Sequence, residues 1–444
     1  MKKKEAVSSI IFIIIGIVIA YLLSLMLRYK ESYHFKNLFY SSKDDYDVLF
    51  FGASHPHCAV DPNILWDEFG ITSYNLASSG EPITLSLFAI ESALENNHPK
   101  LIVVDSGKIT DDIGHDHVHI GEVHKTLDAI PLSRTKVEAA FYLLRTDVIK
   151  EPLELFSGIY TYHDRIYDLS RYDFEVGSTL GRGKDWNVSI RKKQMPVIDR
   201  ETRADINRGD GVKAYEKIVN LCREKGVPLI FTAMPSTAGY YKNHIALYNA
   251  LADYTEEQGF EVMDMDSDAS EMGIDYDYDF GGGSHLNIMG AGKVSRYLGK
   301  KLLGTHGIED KRGTPGYESW DRIRNDYVDE VLQYLRYQSE ATSFLMMAGD
   351  SRLESRIYVR DENLTGSIYG LEYELSYLKI KPETAGDDVL GEGNDMLVLV
   401  YDRRNEGADL PAIRKTFKFN EREQILTVTG EEAETVNYFP EADE

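Results

Sequence analysis

An uncharged apolar run near the amino terminus constrains this chain more than any other feature. The sequence from Val7 to Leu27 contains no charged residue, and its length is close to the ~20 residues that a helix needs to cross a bilayer. A basic cluster over 2–4 precedes the run, and Arg28 and Lys30 follow it. Because the run is long and lacks the small-x-small exit of a cleavable signal peptide, we interpret it as an uncleaved membrane anchor.

The orientation of this anchor depends on its flanking charges, and those nearly balance. The simplest arrangement leaves the short amino-terminal tail in the cytoplasm and places everything after Tyr29 outside. We therefore expect a single-pass protein of the cell membrane whose main part is extracytoplasmic. The competing interpretation is a buried amino-terminal helix of a soluble protein.

The composition of the chain excludes two classes of protein. Lys and Arg total 49 against 73 for Asp and Glu, a formal net charge of −24. Nucleic-acid binding draws its affinity from basic groups on phosphate, so we expect no nucleic-acid partner. Two cysteines, Cys58 and Cys222, exclude a disulfide framework and a four-thiolate zinc site; they either pair with each other or act as small apolar residues.

After the anchor, helical patterns alternate with short apolar runs, which predicts βαβ units on a parallel sheet. The apolar runs are Val48–Phe51, Leu101–Val104, Val227–Ala233 and Phe260–Asp264, and the helical patterns are Ile83–Asn96, Val212–Lys225, His244–Gln258 and Met289–Leu303. Further along, we predict a helix over Trp320–Leu335 and strands in the alternating runs Arg356–Val359, Met396–Tyr401 and Thr416–Phe419.

These patterns predict six consecutive segments. They are an anchor over 1–30, a linker over 31–46, an α/β domain over 47–304 with an insertion over 111–210, a linker and helix over 305–355, a small β-rich domain over 356–430 and an acidic tail over 431–444. Insertions of this length between sheet strands are usually functional, so we interpret this one as a lid or a substrate-shaping subdomain. It contains one clear helical pattern, Ser133–Leu144.

Two segments that follow predicted strands carry small and polar residues suited to chemistry. Ser54 comes just after the first apolar run, and ligands of open α/β sheets bind beyond the carboxyl ends of strands. Gly80 ends the small-residue loop that starts at Asn75, where a backbone N–H can approach a reacting carbonyl oxygen. The structural alternatives are a helix-capping serine and an ordinary glycine turn.

A histidine near the end of the α/β pattern is placed like a general base. His285 follows the last predicted strand in a glycine-rich loop and precedes a helical pattern. Neutral imidazole takes a proton from a serine hydroxyl and returns it to a leaving group. An isolated loop histidine is more often structural, but the chain order of Ser54, Gly80 and His285 favours catalysis.

Three motifs follow one another along the chain: Gly52-Ala-Ser54-His55, Asn75 to Gly80, and His285-Leu-Asn287 followed by Gly290-Ala291. In this order they resemble the SGNH/GDSL hydrolase superfamily. The likeness is greatest to its membrane-anchored branch, which includes the teichoic-acid D-alanylation protein and polysaccharide O-acetylation proteins, and it covers 47–303. The resemblance implies a flavodoxin-like parallel sheet with helices on both faces. It also implies that Ser54 is the nucleophile, that the N–H groups of Ser54 and Gly80 bind the oxyanion, and that His285 is the base. No cofactor or metal is required.

The chain departs from this family pattern at two positions. The family carries an Asp three residues before its His, where this chain has Gly282; Asp279 could serve instead if the loop over 281–283 bends back. The family's oxyanion Asn is also missing, and Asp105 and Ser106 follow the corresponding strand. An acid cannot replace an amide donor, which leaves Ser106 or a backbone N–H.

Six further residues are candidates for substrate binding because they belong to these motifs or to a Tyr-His-Asp-Arg stretch of the insertion that also resembles the branch. They are His55, Asn75, Asp105, His163, Arg165 and Asn287.

We therefore expect an extracytoplasmic serine acyl-ester transferase or esterase that acts on a cell-envelope glycopolymer. Its partners would be the acylated glycopolymer or an acyl donor and, by resemblance, a multi-pass membrane acyltransferase. One alternative is a catalytically weak or inactive SGNH-fold protein that binds or scaffolds in polymer assembly or export. A second is a metal-dependent hydrolase, since His115, His117 and His119 would share one face of an extended strand.

Overall fold

The computed structural model describes residues 2–28, 31–109, 120–146, 148–149, 151–167, 169, 181–183, 187–206, 209–405 and 410–432. The chain forms two compact units. The first comprises 1–185, 196–269 and 295–312, and the second comprises 186–195, 270–294 and 313–444.

The apolar run of the sequence forms a long helix, as predicted. Helix α1 covers Lys2–Leu27 and is followed by α2, Glu31–Ser41. The window Val7–Leu27 has a mean hydropathy of 3.0 and is only 11% buried. By length and composition, α1 is therefore able to cross a membrane.

A parallel sheet forms the centre of the first unit. Its strands are β1 Val48–Phe51, β2 Ser73–Asn75, β3 Leu101–Asp105, β4 Leu229–Ala233 and β5 Glu261–Asp264. They pair in the order β2-β1-β3-β4-β5, which is the flavodoxin-like order of doubly wound sheets. Strands β1 and β3 are buried along their whole length, as expected of a parallel sheet covered on both faces. The predicted α/β class is confirmed.

The remaining helices that belong wholly or partly to the first unit are α3 Ser54–Ala59, α4 Pro62–Phe69, α5 Ile83–Asn96, α6 Ile120–Leu127, α7 Arg134–Leu143, α8 Leu153–Phe156, α9 Gly158–Tyr162, α10 Asp210–Lys225, α11 Ala238–Glu257 and α12 Ile288–Leu302. A 3₁₀ helix, His163–Tyr167, follows α9 directly. The predicted helix over Ile83–Asn96 has the bounds of α5, whereas α11 begins six residues before its predicted start at His244.

Two segments differ from their sequence-based description. The stretch interpreted as a linker contains α2, whose Phe35 and Phe39 are 5% and 1% exposed. The insertion forms several helices rather than one, and its Val123 and Leu143 pack in a cluster with Phe88 of α5. Both segments are therefore packed parts of the first unit, because their apolar side chains complete its core.

The second unit contains a mixed sheet, as the alternating runs predicted. Its strands are β6 Leu353–Val359, β7 Glu383–Thr384, β8 Met396–Asp402, β9 Ile413–Asn420 and β10 Ile425–Glu432. The order is β10-β9-β8-β6-β7, with β7 parallel to β6 and the other pairs antiparallel. Its helices are α13 Glu318–Tyr337, α14 Ala341–Ala348, α15 Leu371–Leu378 and α16 Asp387–Leu390, and a 3₁₀ helix covers Glu362–Ser367. The acidic tail beyond residue 432 lies outside the described residues.

Candidate functional site

The turn after β1 presents Ser54 at the carboxyl edge of the parallel sheet. Strand β1 ends at Phe51 and α3 begins at Ser54, so Gly52 and Ala53 make the whole turn. Gly52 has φ +141°, and a Cβ there would lie 2.9 Å from Cβ of Asp105. Only glycine fits such a turn, because it tolerates positive φ and close approach of the next strand. Ser54 itself is half-buried.

A small pocket lies at the same edge. Its lining includes His55, Asp105, Ser236, Tyr240 and Asp266. His55 is 5% exposed, and its ring packs against that of Tyr240 with centroids 4.1 Å apart. Of the candidate substrate-binding residues, His55 and Asp105 therefore line one pocket.

Two buried carboxylates of this pocket have raised pKa values. Burial raises the pKa of Asp105 to about 6, although Gly107 N–H and Met234 N–H donate to its oxygens at 2.8 and 3.1 Å. Burial likewise raises the pKa of Asp266 to about 7, although the N–H and hydroxyl of Ser236 donate to it. Both oxygens of Asp105 already accept backbone N–H groups, so this side chain acts as an acceptor in the pocket.

The loop after β2 is tied to the turn that carries Ser54. Ser78 N–H donates to the Gly52 carbonyl at 3.2 Å. Asn75 is fully buried, and its amide donates to the carbonyls of Pro56 and Val60 while accepting from Ala77 N–H. The amide of Asn75 thus holds the loop to α3 rather than facing solvent.

Gly80, the second candidate oxyanion donor, adopts φ +73°. A Cβ at this position would collide with the Glu122 carboxylate of α6. Glycine is required here for both reasons, since positive φ and a close neighbour each exclude a side chain.

A buried charge network follows Gly80 directly, and the sequence reasoning missed it. Lys36 of α2 and Glu81 are 1% and 0% exposed, and the ammonium contacts the carboxylate. Lys36 also donates to Ser78 Oγ at 3.1 Å and to Thr126 Oγ1 at 2.7 Å. Burial lowers the pKa of Lys36, and the Glu81 charge opposes that shift. No local signal marks this pair, because its members are 45 residues apart.

In the second unit, a short closed loop presents His285. Phe280 and Leu286 form an isolated antiparallel bridge, and Gly281 N–H donates to the His285 carbonyl at 2.9 Å. Gly283 has φ +63°, and a Cβ there would lie 3.2 Å from Nδ1 of His285. The glycines of this loop therefore allow tight closure around a half-buried imidazole.

Asp279, the candidate acid, lies at the base of this loop with its carboxylate engaged. Lys293 Nζ and Asp275 N–H donate to Oδ2 at 2.6 and 2.7 Å, and Tyr373 OH donates to Oδ1 at 3.2 Å. Burial raises the pKa of Asp279, and the Lys293 ammonium partly offsets this. The sequence reasoning identified Asp279 but neither of its side-chain partners.

Asn287 is buried and fully hydrogen-bonded. Its amide donates to the carbonyls of Ser189 and Tyr278 at 3.1 and 2.7 Å and accepts from Met289 and Gly290 N–H. Every donor of this side chain is used inside the unit, so Asn287 holds the loop to the start of α12.

The two candidates from the insertion lie at the end of α1 instead. Arg165 donates to the carbonyls of Leu27 and Arg28 at 2.6 and 2.7 Å. A cation at this position satisfies terminal carbonyls and complements the helix dipole. His163 is exposed, and its Nδ1 lies 3.0 Å from the Tyr160 carbonyl. This structural role of Arg165 was missed because it depends on contact with a residue 138 positions earlier.

The predicted residues thus fall into three groups. Ser54, His55, Asn75, Gly80 and Asp105 share the carboxyl edge of the first unit; Asp279, His285 and Asn287 share a loop region of the second; His163 and Arg165 lie near α1. The alternative metal residues His115, His117 and His119 lie outside the described residues. Among the residues that are described, no group of His, Cys, Asp and Glu is arranged to hold a metal.

Comparison with known proteins adds no family to this description: no protein-family model matches the chain, and no curated protein matches it in sequence.

Proposed function

We propose that the protein is a membrane-anchored serine acyl-ester transferase or esterase that acts on a cell-envelope glycopolymer. The observation that carries the proposal is the position of Ser54. It begins α3 after a turn in which Gly52 adopts φ +141°, at the carboxyl edge of a parallel sheet and beside a small pocket that His55 lines. Ligands of such sheets bind at this edge, and the motif order of the sequence resembles the SGNH superfamily.

In the proposed reaction, Ser54 Oγ attacks the acyl carbonyl and His285 accepts the serine proton. The tetrahedral oxyanion accepts hydrogen bonds from the N–H groups of Ser54 and Gly80. His285 then protonates the departing alkoxide, which leaves an acyl-serine and the free alcohol. A sugar hydroxyl or water next attacks the acyl-serine and passes its proton to His285, which returns it to Ser54 as the ester breaks.

The groups that would orient His285 and bind the oxyanion differ from those of the family pattern. Asp279 already binds Lys293 and Tyr373, and an acid that does not orient the base leaves catalysis slower by orders of magnitude. Asp105 supplies no amide donor, so oxyanion binding depends on backbone N–H groups. We therefore expect a slow enzyme whose chemistry depends on a reactive acyl donor.

The apolar helix α1 supports membrane anchoring of the enzyme, and we propose that the part after the anchor is extracytoplasmic. An anchor keeps the enzyme near a membrane-bound acyl source, and we include a multi-pass membrane acyltransferase as the proposed donor. The acceptor is the glycopolymer of the same envelope.

Replacement of Ser54 tests this chemistry directly. Ser54→Ala should lower ester turnover on the order of 10³-fold or more, because the nucleophile is lost while binding remains. A fluorophosphonate should label the wild type at Ser54 and leave Ser54→Ala unlabelled. Ser376→Ala, at an exposed serine of α15, is the matched control. Unchanged turnover in Ser54→Ala would falsify the mechanism.

A second candidate function is glycopolymer binding or scaffolding without catalysis. The engagement of the Asp279 carboxylate by Lys293 and Tyr373 favours it, since a catalytic acid needs a free acceptor for the imidazole. In that case folded wild-type protein takes up no fluorophosphonate yet retains the polymer in a pull-down, and Ser54→Ala retains it equally.

A further inference from the structure

The insertion packs against the last turn of the apolar helix. Gly158, at the start of α9, donates its N–H to Ser24 Oγ of α1 at 2.6 Å. A Cβ at Gly158 would lie 2.6 Å from the Ser24 carbonyl oxygen, so glycine permits this approach. Seven residues later, Arg165 binds the carbonyls of Leu27 and Arg28. The insertion therefore forms hydrogen bonds with the end of α1 at two points.

This contact covers the end of the segment that would cross a bilayer. Val7 and Leu23 are 55% and 39% exposed, whereas Ser24 and Leu27 are 8% and 4% exposed. The exposed part of α1, from Val7 to Leu23, is about 26 Å long at the α-helical rise. A hydrocarbon core is about 30 Å thick. If α1 crosses it, the hydrocarbon boundary falls at the turn that α9 covers.

The exposed side chains of this covering segment include two tyrosines and an isoleucine beside the polar His163 and Asp164, which are 66% and 91% exposed. Tyr160 is 43% exposed, Ile166 is 53% exposed and Tyr167 is 89% exposed. Tyrosine is enriched at both membrane interfaces because its ring is apolar and its hydroxyl is polar. The charge of Arg165, which lies between them, is directed at the carbonyls that end α1.

We propose that α9 and its 3₁₀ helix, residues 158–167, form a foot that rests in the lipid interface of the membrane crossed by α1. The occupant of this amphipathic surface is the lipid interface, since the segment contacts the last turn of the spanning helix at Ser24 and Leu27. The proposal rests on the proposed anchoring. The foot would be a second contact between the α/β unit and the lipid surface, in addition to the spanning helix.

A fluorescent probe at Tyr167 tests the depth of the foot in the full-length protein. Tyr167→Cys is labelled with a nitrobenzoxadiazole group and reconstituted in phosphatidylcholine nanodiscs, which leave both faces open. Val197→Cys, 88% exposed in the same unit, is the matched control. Native Cys58 and Cys222 are buried, and labelling of the wild type measures their background.

A probe seated 5–10 Å below the headgroup boundary is shielded from water. We therefore expect blue-shifted emission at 167, strong quenching by lipid carrying a doxyl group at carbon 5, and about fivefold slower quenching by iodide than at 197. Equal iodide quenching at both positions would overturn the foot. So would shielding of 167 from iodide without doxyl quenching, because a protein would then cover the surface.

Carbonate extraction separates failure of the foot from failure of the anchor. If the protein stays in the membrane fraction while position 167 is in water, only the foot is wrong. If the protein is extracted, α1 does not span and both proposals fail.

A variant at the helix contact adds an independent check. Gly158→Leu places a side chain where Ser24 stands, so α9 should separate from α1 and doxyl quenching at 167 should fall severalfold. Gly121→Leu, where a Cβ meets nothing within 4 Å, should leave the quenching unchanged. Equal quenching in both variants would mean that the docking of α9 on α1 does not set the depth of the foot.

Discussion

The two units hold their proposed catalytic residues with the same kind of ion pair in different surroundings. Beside Gly80, Lys36 and Glu81 are 1% and 0% exposed. Beneath the His285 loop, Asp279 is fully buried, but Lys293 retains 16% of its side-chain exposure. Each pair joins an ammonium to a carboxylate next to a loop of the proposed site. We call the fully buried Lys36–Glu81 pair the sealed pair and the partly exposed Lys293–Asp279 pair the open pair.

The difference in exposure decides what each pair costs to break. Removing one partner of a sealed pair leaves an uncompensated charge in a medium of low dielectric constant. Beside solvent, water and hydrogen-bond donors replace the lost partner. The Ser54 edge should therefore be rigid and sensitive to substitution, and the His285 loop should tolerate change at its base.

The largest expected effect is at the sealed pair. Lys36→Met should lower the free energy of unfolding by about 3–5 kcal/mol, because Glu81 then stays buried without its cation. Urea denaturation of the full chain in detergent, followed by tryptophan fluorescence, measures the loss. Lys242→Met, at an exposed lysine of α11, should change stability by less than about 0.5 kcal/mol.

A double variant identifies the buried charge as the cause. Lys36→Met combined with Glu81→Gln should recover most of the loss, because the amide retains partners in Ser78, Ser86 and Thr126. If Lys36→Met costs no more than Lys242→Met, the pair is not sealed in solution.

Asp266 sharpens the comparison because it is a buried carboxylate with hydroxyl and N–H partners and, within the described part of the chain, no ion pair. Burial raises its pKa from 3.8 to about 7, so the folded state binds its proton more tightly than the unfolded state does. Its contribution to stability is fully present below pH 4 and is lost as the pH rises to 7.

Asp266→Asn should remove this pH dependence. The amide oxygen still accepts Ser236 N–H, and the amide nitrogen donates to Ser236 Oγ, so the fold is kept. Relative to wild type, the variant should gain up to about 4 kcal/mol between pH 4 and pH 8, since each tenfold change in proton affinity is worth about 1.4 kcal/mol. Urea midpoints across this range measure the gain, with exposed Asp45→Asn as control. A constant difference between variant and wild type would contradict the raised pKa.

The smallest expected effect is at the open pair. Lys293→Met should cost about 1–2 kcal/mol at pH 8, because Asp279 retains the Tyr373 hydroxyl and the Asp275 N–H. The pKa of Asp279 is already raised and should rise further without the ammonium, so the cost should shrink as the pH falls to 5. The same denaturation assay measures it. If Lys293→Met lowered the free energy of unfolding as much as Lys36→Met does, the difference in exposure would not decide the cost of breaking each pair.

The sequence predicted regular elements well where their apolar pattern is local. The run over Ile83–Asn96 forms α5 with the predicted bounds, and Val48–Phe51 forms β1. Strand β2 was missed because its three residues, Ser73–Asn75, include two polar side chains and no apolar run. Its burial comes from neighbouring strands and helices, which a local pattern does not contain.

The candidate site was predicted in part for the same reason. Gly52 and Gly80 stand at positions of positive φ, and turns of this kind are visible in sequence because glycine is the residue that accepts them. The roles of Arg165, Asn75 and Asn287 were not visible. Each is set by hydrogen bonds to carbonyls of other segments.

By itself, the sequence determined the apolar helix, the alternation of helices and strands, and the positions of glycine turns, because periodicity and backbone sterics act between near neighbours. Only the tertiary structure decided which charges meet. Lys36 pairs with Glu81, Asp279 pairs with Lys293, and Arg165 donates to a carbonyl at the end of α1. A buried charge needs an oppositely charged partner nearby, and which residue lies nearby depends on contacts between segments that are distant in sequence.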